Sequence, residues 1–313
     1  MKLKVFFKLI FLLLAALIIY FLFKNIYTNW NQLKGYTVKI NYFYLLLAYL
    51  TFVLANIFMT GIWYILLKKL KARINLLSSI AIWSVSTLGK YIPGKGWQFV
   101  GIVYIAKKLG VNYETSISAS LIGQILAIVA GLIVSFSILK THIPPVFVTF
   151  FIAVSLLFIY PVFLNRLLKL FGKVSGKKIM RISLTTKDTV LVTLLYFIGW
   201  LVFGIAFNFL TLSILPGSGF DIVKYAKIFV SSYLLGLFAI FVPGGLGIRE
   251  GVMAFLLGKN IPSYLASFIS IYARLVVTLA ELSLTAFGIV YLKKIGVSVI
   301  RRSKVPDDSD RGV

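Results

Sequence analysis

Residues 241–251, F-V-P-G-G-L-G-I-R-E-G, constrain this chain more than any other stretch. A proline, several glycines and an adjacent Arg249–Glu250 pair stand there inside a hydrophobic run. The chain is 60% hydrophobic and only 13% charged over 313 residues, which marks an all-α, polytopic integral membrane protein. A charged side chain at the bilayer centre costs about 2.5 to 3.5 kcal/mol even on the lenient insertion scale, so Arg249 and Glu250 are expected to face protein, water or a ligand. Broken backbone at membrane depth is tolerated where it lines a cavity or is buried in protein, and Pro243, Gly244, Gly245 and Gly247 supply the break. The plainer alternative is a loop between two ordinary spans, with both charges at the interface.

A shift of 150 positions superposes Pro93 and Gly94 on Pro243 and Gly244, Gly101 on Gly251, Ser120 on Ser270, and Gln124 on Arg274. Weak internal symmetry with interrupted hydrophobic segments in matching positions is the sequence mark of transporters built from repeats. Chance similarity between two Gly-Pro turns is the competing explanation.

In chain order, residues 1–40 carry an apolar stretch over 9–23 between Lys2, Lys4, Lys8 and Lys24. No small-residue cleavage site follows it, so it reads as a first transmembrane helix rather than a signal peptide. The first repeat, 41–165, holds spans at 43–67 and 115–139 and another ending near Leu164. Between the first two lies a re-entrant hairpin over 74–106, interrupted by Lys90, Pro93, Gly94, Lys95 and Gly96. Its second arm, from Trp97 to Ala106, is far shorter than the roughly 20 residues a crossing needs. A basic loop over 166–188 divides the halves. The second repeat, 189–292, has a span at 189–215, a re-entrant hairpin over 228–257 and a last span at 263–292. Residues 293–313 read as a polar, disordered tail. The expectation is about six full spans plus two hairpins.

With the N-terminus inside, the first lysines, the cluster over 68–73, Lys107 and Lys108, the central loop and the tail all fall on the cytoplasmic side, a heavy positive-inside bias. Both termini are then cytoplasmic, in the plasma membrane. Three full spans separate the hairpins, which therefore open from opposite faces as an inverted repeat. Such repeats put a substrate site near the midplane.

Several chemistries are excluded. Cysteine is absent, which removes disulfides, thiolate nucleophiles and cysteine metal sites. The net charge of +25 is accounted for by orientation and by anionic headgroups, without nucleic acid. Residues 89–96, G-K-Y-I-P-G-K-G, fall one short of a Walker A loop, since Gly96 stands where Ser or Thr must hold magnesium. His142, the only histidine, reads as a turn residue beside Pro144 and Pro145. No two acids are placed as a general acid and base, so neither enzyme activity, cofactor nor metal is expected.

Two motifs, P-G-G-L-G-I-R-E-G at 243–251 and G-K-Y-I-P-G-K-G-W at 89–97, with Arg274, resemble the transmembrane, flippase-like domain of lysylphosphatidylglycerol synthases. The resemblance runs from about Val5 to Leu292. In the lysyl-lipid synthases a soluble aminoacyl-transferase domain follows the membrane region, and here the sequence stops instead. The resemblance thus implies the translocation part without the synthase.

The residues themselves suit that implication. Helix N-termini after Gly96 and Gly247 would each offer free backbone N–H groups and about half a positive charge, which favours phosphate. Lys90, Lys95, Arg249 and Arg274 add full charges, and Gln98, Gln124, Glu250 and Glu281 complete the expected substrate-binding set. Adjacent helical side chains do not face each other, so Arg249 and Glu250 should have different partners. Glu250 is expected to pair with Arg274 and hold the broken helix, leaving Arg249 for a headgroup; a purely structural charge network is the alternative. Arg274 and Glu281 lie about 10 Å apart along their helix, too far for a good direct bond. Ser78, Ser79, Ser84, Ser86 and Thr87 in the first hairpin and Ser231 and Ser232 in the second suit either a polar groove or helix packing, and packing is expected for most of them.

Two function classes follow. One is a lipid translocase moving an anionic phospholipid or a polyprenyl-phosphate-linked lipid between leaflets. The other is a non-catalytic membrane partner of a lipid-linked glycosyltransferase or a lipid-modifying synthase, docking through the central basic loop. The first requires a polar groove joining the hairpins and the second a sealed interface.

Overall fold

A computed structural model describes residues 19–20, 23–24, 26–28, 40–92, 96–139, 144–176, 183–239 and 242–297. Every regular element among them is helical. The first long helix, α1 (Tyr42–Lys69), is capped by Asn41, whose side chain accepts from the amides of Phe43 and Tyr44, and it ends on Lys68 and Lys69. Next come α2 (Leu76–Thr87), a 3₁₀ turn (Leu88–Tyr91), α3 (Trp97–Lys108) and α4 (Tyr113–Leu139). Two helices, α5 (Pro145–Leu157) and α6 (Pro161–Ser175), connect the halves. Then α7 (Thr186–Ile214) opens with a capping box of Thr185 and Asp188, and α8 (Ile222–Phe238) is capped by Asp221. A second 3₁₀ turn (Pro243–Gly245), α9 (Ile248–Leu257) and α10 (Ser263–Lys294) complete the described chain. In both halves the order is long helix, short helix, break, short helix, long helix.

Among the described residues, α1, α4, α7 and α10 are long and apolar enough to cross a membrane. The pair α1 and α7 runs antiparallel. The amide of Asn41, before α1, donates to the carbonyl of Ser213 near the end of α7 at 2.8 Å, and Lys69 at the other end pairs with Asp188 at 2.5 Å. Their seam is aromatic: Phe52 of α1 and Phe203 of α7 both contact Phe229 of α8, with the Phe203 and Phe229 rings stacked at 5.2 Å. α2 lies antiparallel on α10, since the hydroxyls of Ser78 and Tyr291 are 3.3 Å apart and Thr285 donates to the carbonyl of Ser84 at 2.9 Å. α8 packs on α4, where Gly131 faces Val230 and Leu234. Ser78, Ser79, Ser84, Ser86, Ser231 and Ser232 are buried in these seams.

Three expectations are corrected. The span expected to end near Leu164 is not one helix: it stops at Leu157 and restarts at Pro161. Proline lacks the N–H that would bond to the carbonyl of residue 157, and its ring clashes with that carbonyl, so the helix breaks there. The central stretch from residue 166 is accordingly not a plain loop, because α6 carries Arg166, Lys169 and Lys173 while burying Leu164 and Leu168. In the second half, α8 begins at Ile222, ahead of the expected start of its hairpin at 228. Most of the expected first span, His142 and the tail beyond Val297 lie outside the described residues.

Helix crossings this close depend on missing side chains. A Cβ on Gly204 of α7 would sit 2.5 Å from the Cβ of Ala226 and 2.7 Å from its Cα, whereas one on Gly61 of α1 would meet nothing within 4 Å. Gly204→Val should therefore cost about 1 to 3 kcal/mol by overpacking. Gly61→Ala should instead stabilise α1 by about 0.5 to 1 kcal/mol. Thermal unfolding of the two variants in detergent, side by side, checks the opposite signs.

A charged cluster between the two broken segments

The break between α8 and α9 is built from residues that cannot continue a helix. Gly244, Gly245 and Gly247 have φ of 58°, 68° and 79°, in the left-handed region where a Cβ is strained. At Gly244 a Cβ would also lie 2.9 Å from Nη2 of Arg274. That approach matters, because Nη2 donates to the carbonyl of Gly244 at 3.1 Å and so satisfies an acceptor exposed by the break. α9 then starts directly after Gly247 and carries Arg249 and Glu250 in its first turn.

These neighbours part as adjacent helical positions must. Arg249 leans back on α8, with its guanidinium 4.6 Å from the ring centre of Tyr233. Its stem crosses Gly236, where a Cβ would come within 2.1 Å of Cγ of Arg249. Among the described residues no carboxylate pairs with Arg249. Glu250 turns toward α10. Its side chain is buried, with Oε1 3.5 Å from Nε of Arg274, and neither carboxylate oxygen accepts a hydrogen bond among the described residues.

The first broken segment reaches the same place. The 3₁₀ turn Leu88–Tyr91 packs on the start of α3, leaving no room at Gly89, where a Cβ would lie 2.6 Å from the amide nitrogen of Gln98. The turn directs Lys90 and Tyr91 at α10. Lys90 forms an ion pair with Glu281, and the Tyr91 hydroxyl donates to the other oxygen of Glu281 at 3.0 Å. The Tyr91 ring lies 5.1 Å from the Lys90 ammonium and 5.7 Å from the Arg274 guanidinium, so it bridges the two ion pairs. On α4, Gln124 lies within reach of the Tyr233 hydroxyl.

Of the residues expected at a site, Lys90, Gln124, Arg249, Glu250, Arg274 and Glu281 thus come from four separate segments. Gln98 is half-buried in the first turn of α3 and joins no hydrogen bond of the cluster among the described residues. Lys95 lies, with Pro93 and Gly94, outside the described residues. Gly96 and Gly247 stand at the N-cap positions of α3 and α9. Tyr91, Tyr233 and Gly236 were not expected. Tyr91 adjoins Lys90 in the first motif, which was a usable signal. Tyr233 is one of 17 tyrosines, and nothing local sets it apart.

Two cavities flank the Glu250–Arg274 pair. One of about 20 Å³, bounded also by Arg249, Met253 and Ser270, has room for one water. An outer one of about 130 Å³ is walled by Ile19, Phe23, Leu246, Ile271 and Leu275 and reaches the same two side chains. The charged cluster is therefore approached through an apolar opening.

A family model described as the lysylphosphatidylglycerol synthase TM region matches residues 8–282, a range that contains both breaks and the whole cluster. No curated protein matches the chain. The extent of the match, over most of the sequence and all of the site, assigns the chain to the lysylphosphatidylglycerol synthase transmembrane family.

Proposed function

We propose that this protein is a lipid translocase that passes an anionic headgroup between leaflets at the cluster of Lys90, Arg249, Glu250, Arg274 and Glu281. One observation carries the reading: three cations and two carboxylates meet where two interrupted helical segments touch, and the way in is walled by apolar side chains. A crossing headgroup must exchange water for polar protein groups while its tails stay in hydrocarbon. A charged site behind an apolar opening meets both needs. Arg249 binds the headgroup, because it alone of the three cations has no carboxylate partner among the described residues. Glu250, Arg274, Lys90 and Glu281 hold the broken segments against α10.

The two halves are read as an inverted repeat in the plasma membrane, with both termini cytoplasmic and both broken segments re-entrant. Support comes from the repeated helix order and from the antiparallel pairing of α1 with α7, which occupy the same place in each half. A two-fold axis relating antiparallel spans lies in the membrane plane, as in transporters of this kind.

Scrambling of fluorescent phosphatidylglycerol in proteoliposomes tests the assignment. The wild type should move it, and Arg249→Ala should slow that movement by about 10²-fold or more, the loss expected when a buried charge contact is removed. Arg274→Ala should do the same while also lowering thermal stability. Gly236→Ala, which pushes the Arg249 stem off α8, should impair transport with Arg249 intact. No movement of phosphatidylglycerol, nor of a polyprenyl-phosphate lipid in the same assay, by a folded wild type would favour the alternative, a membrane partner that docks a glycosyltransferase or synthase on the basic face of α6.

A further inference from the structure

The surface of α6 is divided into strips of different chemistry. At about 100° per residue, Arg166, Lys169 and Lys173 fall within one arc of about 60°. Phe163, Leu167, Leu170 and Phe171 share the next arc, of about 100°, and Leu164 and Leu168 lie beyond it. Leu164 and Leu168 are buried in the main core, so α6 rests against the bundle. The middle strip has no such cover: Leu170 is 61% and Phe171 38% exposed, with Phe163 and Leu167 half-buried. The basic strip is exposed as well, and among the described residues no carboxylate pairs with it. Arg166 instead lies over the Phe163 ring at 5.5 Å, where the two bare strips adjoin.

The turn before α6 fixes its level. There the Ile159 carbonyl accepts from the Thr189 hydroxyl in the first turn of α7. Beside Thr189, Asp188 pairs with Lys69 at the end of α1. The turn thus sits where α1 finishes on Lys68 and Lys69, at the charged edge of two spans. From that edge the 15 residues of α6 run about 22 Å. Directed into the membrane, the helix would carry three cations into hydrocarbon; directed away, it would leave Leu170 and Phe171 in water. Laid along the boundary, it puts the apolar strip against acyl chains and the basic strip among headgroups. We propose that α6 is an in-plane interfacial helix that binds the surface of an anionic lipid leaflet, taking acyl chains on its apolar strip and headgroup phosphates on Arg166, Lys169 and Lys173. Unpaired cations at that level are complementary to anionic headgroups. The contact anchors the joint between the two halves to one face of the membrane. It uses no residue of the charged cluster and stands whether or not the protein moves lipid.

The chain contains no cysteine, so single spin labels can be placed on the full-length protein through Leu170→Cys, Lys169→Cys or Lys173→Cys. Each is reconstituted in nanodiscs of phosphatidylcholine with or without phosphatidylglycerol. Collision of the label with oxygen, which concentrates in hydrocarbon, and with a nickel chelate, which stays in water, reads its depth. In the mixed discs position 170 should favour oxygen, at about 5 to 10 Å into the headgroup boundary, and positions 169 and 173 the nickel chelate. Position 170 should move toward water when phosphatidylglycerol is omitted. It should do so in the mixed discs too when Arg166→Gln, Lys169→Gln and Lys173→Gln are added, with thermal unfolding unchanged because these side chains are exposed. Water contact at position 170 in the mixed discs overturns the inference and leaves the apolar strip to a protein partner. Oxygen contact at all three positions overturns it in favour of a membrane-crossing α6. A depth at position 170 that ignores both phosphatidylglycerol and the three cations overturns the preference for an anionic leaflet.

Discussion

The packing of this protein follows from the need to keep five charged side chains and two helix breaks satisfied within one hydrophobic chain. Arg274 meets two of these needs at once, pairing with Glu250 and donating to the carbonyl freed at Gly244. The long helix α10 that presents it also presents Glu281, which accepts from Lys90 and Tyr91 of the other break. One continuous helix therefore clamps both interruptions. Buried ion pairs contribute little net stability, because desolvation offsets most of their attraction. Their consequence here is geometric: each break has a single position in which its charges are matched.

Arg249 stands apart from this matching. Its N-cap, Gly247, is a residue without a side chain, its stem needs the bare backbone of Gly236, and its head lies on Tyr233. Three neighbours are thus adapted to hold a guanidinium in place without neutralising it. A cation held but not paired is suited to an exchangeable anion, whereas Lys90 and Arg274 are committed to the protein. The proposed headgroup contact thus falls to the one cation of the three that, among the described residues, the helix breaks do not use.

The outer cavity beside the charged pair is walled mainly by apolar side chains. Ile19 and Phe23, from the N-terminal segment, wall the outer cavity together with Leu246, Ile271 and Leu275, and the cavity reaches Glu250 and Arg274. A soluble anion would gain nothing from such walls. An amphiphile gains from both ends of the path, with hydrocarbon contacts outside and charge inside.

Much of this was legible in the residues. The hydrophobic runs give α1, α4, α7 and α10 almost to the residue, because length and apolarity alone decide a span. The breaks at Gly96 and Gly247 were equally clear, since glycine and proline act through local backbone chemistry. The break before Pro161 obeys the same chemistry yet was passed over, because the apolar run continues up to it and hydropathy averages across a single proline. The separate partners of Arg249 and Glu250 followed from helix geometry. By itself, then, the sequence determined the class of the protein, its long helices, its breaks and the identity of most buried charges. Only the tertiary structure decided that Lys90 meets Glu281 across 191 positions, that Tyr91 lies between the ion pairs, and that Arg249 is left without a carboxylate among the described residues. Spans and breaks depend on neighbours along the chain, but charge pairing depends on which helices pack together, and that is settled by the shape of every packed face at once.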